Sequence, residues 1–322
     1  ADAVAKWYGP NRRQEPHYGV VLDAGRHAKP GAVPGLVALA DDQAQPAIVR
    51  ATALDVLSRY PGRSPRAALQ RGLRDPLVRH AAVMGQERLP PADRVVGLAP
   101  LLDDPVRAVR IEAARLLAPA ASSLAAERKA GFDRALAEFE AAQQENADRP
   151  EALANLGNLH LSRGEAPRAE DAYRKAIALD PLFVPAYVNL ADLYRALGRD
   201  ADAERMLRDG LRMVPNAAAL HEALGLALVR QGKKREALAE FAAAAKAAPD
   251  DPRHTYIYAV ALHDAGRRAE AVRLLESAAQ RVGDRDVLLA LAVFKREAGD
   301  PTTAARYLAR LAAVTAMAAQ IV

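Results

Sequence analysis

The residues with the most obvious chemical potential in this chain are seven histidines and a few adjacent carboxylates. His17, His27, His80, His160, His221, His254 and His263 show no His-Glu-x-x-His pair or other ligand spacing, so no two imidazoles are set one helical turn apart to share a metal. Asp41-Asp42, Asp103-Asp104 and Asp250-Asp251 stand in turns ahead of apolar periodic segments, where helix capping accounts for them. The absence of cysteine excludes disulfides, thiolate metal sites, covalent c-type haem and a Cys nucleophile from this sequence. Gly-x-Ser-x-Gly, phosphate-loop and dinucleotide fingerprints are missing, and Arg63-Ser64-Pro65-Arg66 reads as a turn. These residues imply no enzyme. Asn155, Asn158 and Asn189 offer a different chemistry. An amide side chain both donates and accepts, and a ladder of them can hold an extended peptide main chain.

The net charge of +5 is unevenly placed: residues 1–130 carry 19 Lys and Arg against 13 Asp and Glu, and residues 131–322 carry 26 against 27. A basic half suits an acidic partner. Nucleic-acid binding through this basic half is an alternative reading but not the expected one, because basic clusters with interleaved aromatics are missing. The arginines recur at helical spacing and read as solvated faces or inter-repeat pairs. No run of apolar residues is long enough to span a membrane. The sequence opens on Ala1 without a signal-peptide pattern, as expected of a processed chain or a fragment.

Alanine and leucine dominate and aromatics are few, a composition that favours helices. The segment from Pro150 repeats from Val184, Ala218 and Pro252 in a 34-residue register. Leu156, Leu190, Leu224 and Tyr258 hold one large apolar column, followed by the small Gly157, Ala191, Gly225 and Ala259. Gly164, Gly198, Gly232 and Gly266 end the first helix as caps with positive φ. Ala169, Ala203, Ala237 and Ala271 are small contacts on the second helix; Tyr173, Leu207, Phe241 and Leu275 are its bulky knobs; Ala176, Gly210, Ala244 and Ala278 close it. Pro181, Pro215 and Pro249 stop the second helix, with Gly283 in the fourth repeat. A fifth repeat starts at Arg285, and Ala135, Phe139 and Ala142 mark the second helix of a degenerate leading one. This pattern resembles the tetratricopeptide (TPR) signature.

Residues 31–120 carry a looser period. Val49-Arg50-x-x-Ala53, Val78-Arg79-x-x-Ala82 and Val109-Arg110-x-x-Ala113 are preceded by Gln45-Pro46, Asp75-Pro76 and Asp104-Pro105. Asp-Pro starts a helix, Val and Ala face a neighbour and Arg points outward, which is similar to short HEAT repeats. The expected fold is all-α: a right-handed α-solenoid of HEAT-like helical pairs followed by tetratricopeptide repeats. The expected parts are an N-terminal cap or linker (1–30), HEAT-like repeats (31–120), a degenerate leading repeat (121–149) and a TPR array of about five repeats (150–322). Trp7, Tyr8 and Tyr18 are expected to plug the open end of the first helical pair.

Lys6-Trp7-Tyr8-Gly9-Pro10, Pro16-His17-Tyr18-Gly19 and Ala24-Gly25-Arg26, followed by these two arrays, resemble the C-terminal non-haem half of bacterial TPR-containing multihaem c-type cytochromes. That resemblance implies a periplasmic bacterial protein with no cofactor of its own, haem being possible in an upstream domain. Its solenoid would then dock a cytochrome domain, with His17 near it. The TPR resemblance implies a scaffold that grips a protein or peptide partner with the first helix of each repeat. In this sequence the lining positions of that family fall on Asn155 and Asn158; on Asn189, Asp192 and Arg195; on Glu222, Leu226 and Arg230; and on Tyr256, Val260, His263 and Asp264. Asn158 and Asn189 match the asparagines of the carboxylate clamp that grips chaperone tails. Ala154, Ala219 and Ala223 replace its basic residues, which argues against that ligand.

Overall fold

A computed structural model describes residues 17–27, 29, 31–281 and 284–319, with side chains through 312 apart from 281. Trp7, Tyr8, Pro10 and Pro16, which carry much of the resemblance at the N-terminus, and Gly283 lie outside the described residues. All regular structure within them is helical. The chain divides into two compact units, one comprising residues up to Leu136 together with those from Ala316 on, and one spanning Ala137–Thr315.

In the first unit, helices α1 (Tyr18–Arg26), α2 (Ala32–Asp41), α3 (Ala47–Leu57), α4 (Arg63–Gly72), α5 (Arg79–Gly85), α6 (Pro91–Leu98) and α7 (Arg107–Leu117) alternate with short turns. His17 caps α1, its Nδ1 accepting from Gly19 N at 3.1 Å, so this histidine has a structural use. The helices α3, α5 and α7 pack side by side, and α2 packs on both α3 and α4. Val49, Ala53, Val78, Ala82, Val109 and Ala113 are all buried at these contacts, as the period requires.

Two details differ from expectation. Arg50 and Arg79 do not point outward. Arg50 is only 3% exposed; its Nε donates to Ala40 O at 3.1 Å and its guanidinium pairs with Asp75. Arg79 repeats the arrangement one helical pair on, donating to Leu73 O at 2.9 Å and pairing with Asp104. A carbonyl and a carboxylate shielded from water attract the guanidinium more strongly than solvent can, because a charge-assisted hydrogen bond is stronger where water does not compete. The hydrogen bond from Arg50 also holds the Asp75 carboxyl below the usual carboxylate range. The second difference concerns Asp75 and Asp104, which sit before their helices rather than on the N-cap. They accept from Leu77 N at 3.0 Å and Val106 N at 2.8 Å in Asx turns, and the helices start only at Arg79 and Arg107.

The helix α8 (Ala126–Glu145) crosses from one unit to the other. Its end at Glu145 lies one repeat length before Leu179, and Phe139 is buried in the column later held by Tyr173.

Five helical pairs then follow: α9 (Pro150–Ser162) with α10 (Ala166–Leu179), α11 (Val184–Ala196) with α12 (Asp200–Met213), α13 (Ala218–Arg230) with α14 (Lys234–Ala247), α15 (Pro252–Asp264) with α16 (Arg268–Arg281), and α17 (Arg285–Glu297) with α18 (Pro301–Ala319). Each second helix packs against the first helix of the next pair, and α9 with α11, α11 with α13, and α15 with α17 also touch. The second unit is therefore an all-α repeat solenoid. Gly164, Gly198, Gly232, Gly266 and Gly299 adopt φ between 71° and 80°. The residue after each glycine donates back to the carbonyl five positions earlier, as in Arg199 N to Tyr194 O at 2.8 Å, which closes the helix with a Schellman motif.

Helix approach within a pair is set by a size-matched couple. A Cβ on Gly157 would lie 2.4 Å from the Tyr173 ring, and one on Gly225 would lie 2.4 Å from Phe241. Ala191 and Ala259, in the same column, stand where the second helix carries the smaller Leu207 and Leu275.

Candidate functional site

The first helices of the second unit carry the residues that could grip a partner. A cleft of about 420 Å³ opens along α11, α13 and the start of α15. Val188, Asp192 and Arg195 line it from α11, and Ala219, Glu222, Ala223, Leu226 and Arg230 line it from α13. Val188 and Asp192 of α11 correspond to Glu222 and Leu226 of α13 one repeat on, because helices that pack side by side in one register bring the same face to one wall. Asp192, Arg195, Glu222, Leu226 and Arg230 all lie along this cleft.

Charge in the cleft is largely paired. Arg195 bonds Asp192 at 3.1 Å within one helix, and Arg230 reaches back to Asp200 at 2.7 Å. Glu222 is the buried member of the wall, 7% exposed. Its Oε1 accepts from Arg253 Nε at 3.0 Å and from the Arg253 terminal nitrogen at 2.7 Å. The hydrogen bond to Glu222 raises the Arg253 guanidinium pKa further, so the guanidinium keeps its charge. Glu222 Oε2 lies 2.6 Å from His254 Nδ1, off the direction of a hydrogen bond. Arg253 and His254 line the cleft but were not among the residues singled out by spacing. Arg253 occupies the second position of its repeat, a lining column, so its signal was present; His254 is one residue further and has none.

The asparagines form a separate group. Asn158 Oδ1 accepts from Asn189 Nδ2 at 3.1 Å and from the Tyr173 hydroxyl at 2.7 Å, while Asn155 Nδ2 donates to Gln143 Oε1 at 3.0 Å. Asn155 and Asn158 are exposed and Asn189 is half-buried. Burial raises the Tyr173 phenol pKa, so the hydroxyl stays protonated and keeps donating to Asn158.

Tyr256 and His263 are placed differently. Tyr256 and Val260 pack against the core of the last repeats. His263 stacks on Phe294 at 3.9 Å between ring centres and lies 3.2 Å from Glu297. His160 and His221 similarly meet Glu165 at 2.8 Å and Glu240 at 2.7 Å. Among the described residues, no group of three or more His, Asp or Glu could hold a metal ion, and no helix is long and apolar enough to cross a membrane.

Helical pairs stacked in one register, with a polar and partly apolar wall along their first helices, define an α-solenoid repeat protein. The sequence model of the tetratricopeptide repeat matches residues 110–284, more than half of the chain, and the chain belongs to the tetratricopeptide repeat family. The match includes α8, upstream of the first complete pair.

Among solved structures, yeast Tom70 is similar at a TM-score of 0.55 and 16% identity, over 97% of this chain and 66% of that one, a likeness of fold. PilW, described as a widely conserved type IV pilus biogenesis factor, gives a TM-score of 0.46 and 21% identity over 61% of this chain and 93% of its own. YrrB, described as a TPR protein with an unusual peptide-binding site, gives 0.41 and 22% over 56% and 96%. No curated protein sequence matches this chain.

Proposed function

We propose that the protein is a non-catalytic scaffold whose second unit holds a segment of a partner protein along the first helices of its repeats. The observation that carries this reading is a cleft running along the first helices of successive repeats, where exposed Asp192, Arg195, Leu226 and Arg230 stand around the buried Glu222. Unpaired main-chain groups of an extended segment would meet the Asn158 and Asn189 amides at one end. Paired charges and Leu226 at the other end would read its side chains. The helical pairs of residues 31–120 act in this reading as HEAT-like repeats, a spacer or second docking face.

The test selects peptides from a random displayed library on the full-length chain and then measures their affinity for variants. Leu226→Asp and Asn189→Ala should each weaken selected peptides roughly tenfold, since a lost anchor contact costs about 1–2 kcal/mol. Asn189 is preferred to Asn158, whose removal would also strip the buried Tyr173 hydroxyl of its acceptor. Peptides that bind both variants as well as the parent would refute the groove.

The resemblance of residues 1–30 to multihaem cytochromes supports a second reading, in which the chain is a periplasmic accessory that docks a cytochrome domain. Cys-x-x-Cys-His motifs encoded immediately upstream of Ala1 would favour it, and an upstream sequence without them would remove its basis.

A further inference from the structure

The groove accounts for the second unit and leaves the excess positive charge of the first without a role. That charge converges on α4. Arg63, Arg66 and Arg71, with Arg74 just past the helix end, fall within an arc of about 140° at 100° per residue, and all are exposed along one surface cleft of about 400 Å³. A second cleft of about 590 Å³ shares Arg63 and Arg66, adds Arg59 and Arg88, and has Asp93 as the one carboxylate among its lining residues. Pro61, Leu69, Leu89 and Pro90 give it an apolar side.

Half of these arginines are already used. Arg59 pairs with Asp55 at 3.3 Å, Arg66 with Asp93 at 2.7 Å and Arg71 with Asp41 at 2.7 Å. Arg63, Arg74 and Arg88 have no carboxylate partner among the described residues. Six guanidiniums against three carboxylates leave a local surplus of three positive charges. The N-terminus of α4 adds to it, because Gly62 caps the helix without a side-chain acceptor and leaves first-turn amides unpaired. Three free cations beside three neutralised ones attract an anion without breaking the contacts that hold the helices together.

We propose that α4 and the turn before it form a second docking face for an acidic polypeptide segment of a partner. The strip from Arg63 to Arg74 is about 16 Å long at 1.5 Å per residue, the span of about five extended residues. It fits three or more Asp or Glu within that length, followed by an apolar side chain against Pro61, Leu89 and Pro90. Nucleic acid fits less well. Tyr60, the aromatic residue of the cleft, donates its hydroxyl to Gly25 O and is tied into the unit, so no stacking platform accompanies the charge. The proposal is independent of the groove reading, since it uses residues of the other unit.

The probe is a fluorescein-labelled peptide of about ten residues, rich in Asp and Glu with one Leu, titrated with the full-length chain and followed by anisotropy. Saturable binding should weaken at least tenfold between about 50 mM and about 300 mM salt. The triple variant Arg63→Ala, Arg74→Ala, Arg88→Ala should bind at least tenfold more weakly with an unchanged thermal melt, because those side chains have no carboxylate partner to lose. The control Arg168→Ala, Arg205→Ala, Arg212→Ala removes the same charge from the second unit and should bind as the parent does. The proposal is overturned by absent saturable binding, by an equal loss in both variants, or by tighter binding of a single-stranded oligodeoxynucleotide of the same length.

Discussion

Gly225 and Phe241 together decide how closely α13 and α14 approach. Alanine at Gly225 would gain about 1 kcal/mol of helix propensity, but its Cβ would sit 2.4 Å from the Phe241 ring. Overpacking of that kind costs about 1–3 kcal/mol, and two backbones and a rigid ring leave little room to relax. Gly225→Ala should therefore destabilise by about 1 kcal/mol in urea titration, whereas Gly225→Ala with Phe241→Leu should recover most of the loss. The natural Ala191–Leu207 and Ala259–Leu275 couples already have that combination. An additive double variant would show that the two positions do not share one contact. The columns themselves were legible in the sequence; the coupling of ring size to glycine needed the distance across the helix pair.

Between elements, a second period joins one repeat to the next. Glu170 on α10 accepts from Arg199 at 2.9 Å, and Glu204 on α12 pairs with Lys233 at 2.8 Å, each pair being the other shifted by one repeat. The Lys233 hydrogen bond, with help from Arg208, lowers the Glu204 carboxyl to about 2 from an ordinary 4.5. Because the folded-state value lies below the unfolded one, its contribution to stability is complete above about pH 4.5 and is lost as pH falls toward 2. Thermal melts of Glu204→Gln should lie below those of the parent at neutral pH by the equivalent of about 1 kcal/mol, and the difference should shrink through that window. A difference that stayed constant down to pH 2 would mean that the carboxylate charge contributes nothing.

For the molecule as a chain of repeats, stability is a sum of neighbouring interfaces. Leu275, Ala278 and Ala279 of α16 are buried with Val287, Leu288 and Leu291 of α17. A chain ending after α16 would expose that apolar face without a polar cap. It should melt lower by roughly 5–10 °C and self-associate at concentrations where the full chain stays monodisperse. An unchanged melting temperature would show that the last pair docks without contributing. The uneven charge belongs to this scale as well: the total of +5 conceals a nearly neutral array and a basic first half, whose unpaired arginines become visible only when their paired neighbours are subtracted.

By itself the sequence determined the helical class, the 34-residue register, and the glycine and proline stops. Each of these follows from local chemistry, positive φ at a cap or the repeat of one packing contact, and local rules repeat wherever the residues do. Only the tertiary structure decided where long polar side chains go. Arg50 and Arg79 turned inward because carboxylates 25 residues away are held within reach, and His263 left the wall for Phe294 because ring stacking and burial outweighed exposure. A flexible side chain chooses among partners by their distance in space, which spacing along the chain does not encode.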